Sequence, residues 1–390
     1  MTRNPARPRI LFYVQHLLGI GHLARASRIA QALSRRGAEI TLVTGGLPVP
    51  GFPPPGLAHI ALPPVQMACE GFAGLADAQG RPVQDDFLKA RRDLLCDAFR
   101  RLRPDIVLTE AFPFGRRQMR FELLPLLDAI ETARPRPVLF CSLRDIVQEK
   151  AKPGRAEETV ALIHAHYDGV LIHGDPTFAR LEDSFPLAGQ IADRLTYTGL
   201  VAPPPPRERP EGFDTVTSAG GGAVGAALAR AALEAAAILP PGLRHCIICG
   251  PNLPQPQRDE LMARAAALSS RTVKIETFRP DFVGLLAASR LSVSQAGYNT
   301  VCDLLRAGCH AILVPFAAGG ETEQATRARR LAQIGRATVL PEDGLSGQEL
   351  AAAISAALVR PRSQTQGLDL DGAEQTANIL YNFAEYRRPV

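Results

Sequence analysis

Short apolar runs alternate with longer amphipathic stretches along the whole chain. Residues 10–14, 39–43, 105–109, 137–141 and 169–173 place apolar side chains on both faces of a strand. Two-sided strands separated by helical patterns predict a parallel sheet covered by helices on both sides. A helix is expected from the glycine loop at 18–22 to about residue 35, where Gly37 ends the pattern, and another over 85–103. A Pro-rich loop fills 48–55. Residues 201–210 break the rhythm. Pro203 to Pro206 are consecutive, and such a run reads as a stiff spacer with no role in a sheet or helix. The second half repeats the alternation. Strands are expected at 215–218, 245–249, 272–277, 290–294, 311–316 and 337–340, with helices at 224–239, 257–269, 280–288 and about 299–307. A further helix runs from Ser346 to about 358, with Glu349 as capping-box partner, and 371–386 has a helical pattern. The predicted class is α/β, two Rossmann-like parallel-sheet domains facing across a cleft. Its boundaries are 1–202, a linker at 203–211, 212–365, and a C-terminal helical segment at 366–390.

Composition narrows the partners. The 390 residues, 46% hydrophobic and 21% charged, suit a globular protein of two domains. A net charge of +5 permits an anionic substrate or an anionic lipid surface without requiring either. No aromatic-rich basic tract suggests nucleic acid. No leader peptide and no apolar run long enough to span a membrane is visible. Seven scattered cysteines fit a reducing cytoplasm. Cys246 and Cys249 have CxxC spacing, but strand alternation would turn them to opposite faces, as core thiols rather than a metal or redox pair.

Candidate chemistry lies in turns after strands, where open parallel sheets place their ligands. Three such turns are rich in small residues: Gly19-Ile20-Gly21-His22, Gly220-Gly221-Gly222, and Ala296-Gly297. None completes a dinucleotide fingerprint. In the third, Gly297 allows a sharp turn and close approach of a ligand. Asn299 or Thr300 is expected to cap the next helix, whose N–H groups suit a diphosphate. Asp303, one turn further, would reach a ribose hydroxyl. These residues read as a nucleotide pocket or as an ordinary βαβ turn. His22, at a helix N-terminus whose field disfavours imidazolium, is a candidate general base or a plain capping side chain. Arg116, Arg117 and Arg120 follow the strand carrying Glu110 and form either a phosphate site or a solvated helix face. Ser142, Arg144 and Asp145 follow another strand, and His173 ends a third.

Taken together, these motifs resemble a GT-B glycosyltransferase, most closely glycosyltransferase family 28, whose best-known member moves GlcNAc from UDP onto lipid I. The resemblance rests on Ser218-Ala-Gly-Gly-Gly222, Phe278-Arg-Pro-Asp281, the 294–303 segment, Val314-Pro-Phe316 and Glu323-Gln324 before Arg327-Ala-Arg-Arg-Leu331. The N-terminal half matches mainly at 19–25, and a bacterial group of predicted glycosyltransferases shares the Phe-Pro-Phe-Gly-Arg-Arg run at 112–117.

The resemblance implies an acceptor domain first, a nucleotide-sugar domain second, and a C-terminal helix packing back on the first. It implies a UDP-sugar donor, with uracil at the backbone near Phe278, ribose at Asp303, diphosphate at Ala296–Thr300 and Gly220–Gly222, and sugar at Glu323 and Gln324. His22, in the loop with Gly21, would stand at the reaction centre as the base, assisted or replaced by Asp145 or Glu110. Arg116, Arg117 and Arg144 would hold an acceptor or phosphate. No cofactor and no metal are expected, since no Asp-x-Asp pair sits in a suitable loop. The acceptor would be a glycan or lipid-linked molecule, met in the cytoplasm or at the inner face of the membrane. Met67, Phe72 and Leu75 with Arg91, Arg92, Arg100 and Arg101 could supply a docking patch, although a solvated helix face is the simpler reading of those arginines. Asp for Glu at 303 and Glu for Gln at 323 depart from the family. A shared G-x-G-H-x-x-R loop, here at 19–25, raises a UDP-sugar hydrolase as the rival, and a non-catalytic nucleotide-sugar-binding protein is a third reading.

Overall fold

A computed structural model describes residues 7–17, 19–68, 74–148, 153–208, 210–218, 225–250, 253–268, 272–317, 320–360 and 367–386. The chain divides into two compact units, Met1–Val201 with Asp371–Val390, and Ala202–Leu370.

The first unit holds β1 (Arg9–Val14), α1 (Gly21–Arg35), β2 (Glu39–Thr44), β3 (Ala58–Ala61), β4 (Gln66–Met67), β5 (Leu75–Ala76), α2 (Asp85–Leu102), β6 (Ile106–Glu110), α3 (Arg120–Thr132), β7 (Val138–Arg144), α4 (Arg155–His166), β8 (Gly169–His173) and β9 (Leu195–Tyr197). Seven strands form one parallel sheet in the order β3-β2-β1-β6-β7-β8-β9, while β4 and β5 pair apart as a short antiparallel ladder. Alternate residues of each central strand feed two cores, as a sheet covered on both faces requires. Leu11, Tyr13, Val107, Leu139 and Cys141 face the α2–α3 side. Ile10, Phe12, Leu42, Leu108 and Phe140 face α1, whose Leu23, Ala26, Ile29, Ala30 and Leu33 recur at helical spacing.

The second unit holds β10 (Thr215–Ser218), α5 (Ala226–Ile238), β11 (Arg244–Ile248), α6 (Gln255–Ala267), β12 (Thr272–Glu276), α7 (Phe282–Ala288), β13 (Leu291–Ser294), α8 (Tyr298–Ala307), β14 (His310–Leu313), α9 (Glu323–Gln333), β15 (Ala337–Val339) and α10 (Gly347–Leu358). Its six-stranded parallel sheet runs β12-β11-β10-β13-β14-β15. The chain then returns, and α11 (Gly372–Tyr386) packs Ala373, Ala377, Leu380 and Ala384 into the α1-side core of the first unit.

The Pro-rich stretch has a definite place in the second unit. A Cβ on Gly284 of α7 would lie 2.7 Å from Glu208 O and 3.2 Å from Pro210 Cδ, so the stretch lies against the second unit's own helix. Arg91 is not part of an exposed patch. It is completely buried, and donates to Glu122 at 2.7 and 3.0 Å, to Gln15 Oε1 at 2.6 Å and to Gly45 O at 2.8 Å. A Cβ on Gly45 would strike its guanidinium, so the glycine makes room for the ion. Of the other patch residues, Phe72 lies outside the described residues, and Met67 and Leu75 are half-buried.

Candidate active site

The first unit gathers its polar side chains at the carboxyl ends of β6, β7 and β8 and at the start of α1. This helix begins at Gly21 with no side-chain cap. His22 and Arg25, three apart, share one face of it. His22 Nδ1 lies 3.0 Å from Glu110 Oε1, and Arg25 pairs with the same oxygen. Ser142, the register partner of Glu110 on β7, donates to Oε2 at 2.6 Å. Burial by itself would raise the Glu110 carboxyl. The Arg25 charge, His22 and Ser142 outweigh it and hold the group below the usual carboxylate range. An ionised Glu110 has no proton to give, so Nδ1 of His22 carries the proton in their bond. That leaves Nε2 with its lone pair. Burial first, and then the Arg116 charge, lower this imidazole to about 3 against the pull of Glu110. His22 is therefore neutral at ordinary pH, and 14% of its side chain is exposed.

Arg116 sits in a left-handed turn, φ 57°, and its Nε donates to Gln15 O at 2.7 Å. Burial, then the neighbouring Arg144 charge, lower its guanidinium to about 10. Two like charges near a neutral histidine make an electropositive place that favours an anion. Arg117 does not join them. It and Arg120 both pair with Glu158 on α4, so the expected three-arginine cluster is split. Asp145 and Glu110 are completely buried, and Asp145 Oδ1 accepts from Ile146 N at 2.8 Å. Neither reaches the surface as placed, and Glu110 is turned to His22 and Ser142. Arg25 had no role in the sequence reading, although its three-residue spacing from His22 was the signal.

In the second unit, Gly297 precedes α8 at φ −62° and ψ 149°, ordinary extended backbone. The expected sharp glycine turn is absent. A Cβ there would meet only Thr300 Oγ1, at 3.9 Å, so what the glycine provides is open space above the helix start. Asn299 and Thr300 are not caps: the N-cap is Gly297, no side chain caps the helix, and both residues lie in its first turn. Asp303 follows on the same helix, half-buried.

The turn is braced from α9. Gln324 Oε1 accepts from Ala296 N at 3.0 Å and Phe316 N at 3.2 Å. Its amide nitrogen has no hydrogen bond among the described residues. Arg327 donates to Ala296 O at 3.0 Å and to Glu323 at 2.9 Å. Glu323, expected to touch a sugar, instead points inward, 6% exposed, and holds Arg327. Glu321, unremarked in the sequence, accepts from Glu323 N at 2.6 Å and Gln324 N at 3.0 Å and so caps α9. Phe278, past the end of β12, is a large exposed aromatic, 66% accessible. Gly220, Gly221 and Gly222 lie outside the described residues. Cys246 and Cys249 are buried, and burial pushes Cys246 up to about 12, as fits core thiols.

Residues 216–375 match the glycosyltransferase family 28 C-terminal domain. The second unit carries that domain, and the chain as a whole resembles family-28 glycosyltransferases. It is 35% identical over 117 residues to the UDP-N-acetylglucosamine–N-acetylmuramyl-(pentapeptide) pyrophosphoryl-undecaprenol N-acetylglucosamine transferase of Methylorubrum populi, spanning 30% of this chain and 31% of that enzyme. It is 28% identical to the enzyme of the same name from Phenylobacterium zucineum, over 94% of this chain and 96% of that one. CalG4, the calicheamicin glycosyltransferase, superposes with a TM-score of 0.66 at 17% identity, covering 98% of this chain and 100% of the other. That likeness carries the fold, GT-B. Within this glycosyltransferase the matched segment holds Phe278, Gly297, Asp303 and Gln324, whereas His22, Glu110 and Arg116 lie outside it.

Proposed function

We propose that this glycosyltransferase is inverting and metal-independent, and moves a hexose or N-acetylhexosamine from a UDP-sugar to an acceptor hydroxyl. The observation that carries the reading is the His22–Glu110 pair, which leaves a neutral Nε2 at the mouth of the first unit's polar cluster. The relatives named above supply the UDP-sugar donor class and the lipid-linked acceptor class.

In the proposed step, His22 Nε2 takes the proton of the acceptor hydroxyl. The hydroxyl oxygen forms a bond to the anomeric carbon from the face opposite the diphosphate. The bond from that carbon to the diphosphate oxygen breaks, and its electron pair leaves with UDP. Glu110 holds the histidine and stabilises the imidazolium that forms, as in any base oriented by a carboxylate. The growing charge on the diphosphate is met by the N–H groups at the start of α8, above Gly297, and by its positive helix end. Asp303 is assigned to the ribose, the Phe278 segment to the uracil, and Gln324, with its free amide nitrogen, to the sugar. Arg116 and Arg144 are assigned to an anionic group of the acceptor. The expected setting is the cytoplasm or the inner membrane face. Among the described residues no helix is long and apolar enough to cross a membrane.

The test is a binding and turnover screen against nucleoside diphosphate sugars in chelator, with and without candidate acceptors. Tight UDP-sugar binding and acceptor-dependent UDP release, with an inverted product, are expected. Rapid acceptor-free release of free sugar would replace transfer with hydrolysis, and no nucleotide binding would remove the donor assignment.

A further inference from the structure

The hydrogen bonds around Glu110 continue past it. Ser142 Oγ stands 2.6 Å from Glu110 Oε2 and 2.9 Å from His173 Nε2, and His173 Nδ1 stands 2.9 Å from Thr198 Oγ1. All four residues are at most 1% exposed. Glu110, Ser142 and His173 come from the adjacent strands β6, β7 and β8, so the sheet itself aligns the ladder.

The protons in this ladder have one consistent arrangement. Glu110 is ionised, so the single Ser142 hydroxyl proton goes to Oε2. Ser142 Oγ can then only accept from His173, which fixes the proton of that ring on Nε2. Burial, and then the Arg25 charge, lower His173 to about 3, against Glu110, so the ring is neutral and its Nδ1 accepts from Thr198.

The ladder bears on the base because Arg25 competes for the same carboxylate. Arginine prefers to take both oxygens of a carboxylate at once. Ser142 takes Oε2, and Arg25 pairs with Oε1, beside His22. We propose that Ser142 and His173 are positioning residues, holding the Glu110 carboxylate in the one rotation that keeps His22 protonated on Nδ1 and open on Nε2. This rests on the reading of His22 as base.

Imidazole nitrogen NMR on the full chain tests it, with the His22 signal assigned by its loss in His22→Ala. The groups facing that ring are Glu110, Arg25 and Arg116. The Nδ1-protonated form is expected in the native protein, and a mixture with the Nε2-protonated form in Ser142→Ala and His173→Leu. His173→Gln, whose amide N–H can replace Nε2–H toward Ser142, is expected to restore the native form. In turnover, Ser142→Ala and His173→Leu should lower kcat by about 10- to 100-fold with donor KM unchanged, and His173→Gln should recover most of it. An unchanged calorimetric transition of the first unit reports that each variant is folded. An unchanged His22 tautomer in folded Ser142→Ala would overturn the proposal. The predicted tautomer shift together with full activity of His22→Ala would leave the ladder standing and remove the base assignment instead.

Discussion

At the scale of single residues, His22 is tuned by neighbours of opposite effect. Glu110 favours its protonated form, whereas burial and Arg116 disfavour it more strongly. His22→Ala should cut kcat by roughly 10²- to 10⁴-fold, the usual worth of a positioned base, while UDP affinity, which belongs to the second unit, stays unchanged in a titration. The pH dependence follows with its sign. A base works only when unprotonated, so the acid limb of kcat/KM should lie well below the ordinary histidine value. Arg116→Gln removes one of the charges that lower His22, so the ring's value rises and that limb should move to higher pH. A limb that stayed in place, or moved to lower pH, would show that Arg116 does not set the ionisation of the base. Little of this was legible in sequence. The position of His22 was visible, since a histidine after a glycine turn at a helix start is a local pattern. Its pairing with Glu110, 88 residues away, was not.

Among the elements, β13 and α8 separate an element order from the conformation expected at its turn. The order of strand, turn and helix was readable. The φ of −62° at Gly297 shows that the backbone does not need glycine there. Gly297→Ala should therefore cost at most about 1 kcal/mol in chemical denaturation, the loss expected on replacing glycine by alanine at an N-cap. UDP affinity should fall much more, because the new methyl enters the space left for the diphosphate. Equal retention of affinity would move the diphosphate elsewhere. The same logic separates Glu323 from Gln324. One residue apart on α9, they diverge, the glutamate inward to Arg327 and the glutamine across to the Ala296 and Phe316 amides. Only the placement of Arg327 and of the two loops decides which way each of the pair turns.

For the whole molecule, the chain's return to its first unit has an energetic consequence. α11 contributes Ala373, Ala377, Leu380 and Ala384 to the core above α1. Burying Leu380 alone is worth about 1.5–3 kcal/mol. A chain ending at residue 370 should thus lose stability in the first unit, with an earlier transition in calorimetry, while the second unit keeps its UDP affinity. Coincident loss of both would contradict the division into Met1–Val201 with Asp371–Val390 and Ala202–Leu370. Deep in the first unit, Arg91→Met should cost about 3–5 kcal/mol, because it leaves Glu122 charged, buried and unpaired. Adding Glu122→Leu should recover part of that loss in the same unfolding measurement.

By itself the sequence determined the α/β class, the tandem parallel sheets, and the order of most strands and helices. These depend on periodicity and turn chemistry within a few residues, and a single sequence carries them. The tertiary structure alone decided which charges are spent internally. Arg91 and Arg117 looked like free surface cations but are bound to Glu122 and Glu158, whereas Arg116 is held through a backbone carbonyl. It also placed Glu110, fully buried, against His22, with Ser142 and His173 behind it. Hydrogen bonds in this ladder form between side chains on adjacent strands across gaps of 31 and 32 residues. No local pattern encodes which of several arginines or carboxylates will meet across such gaps.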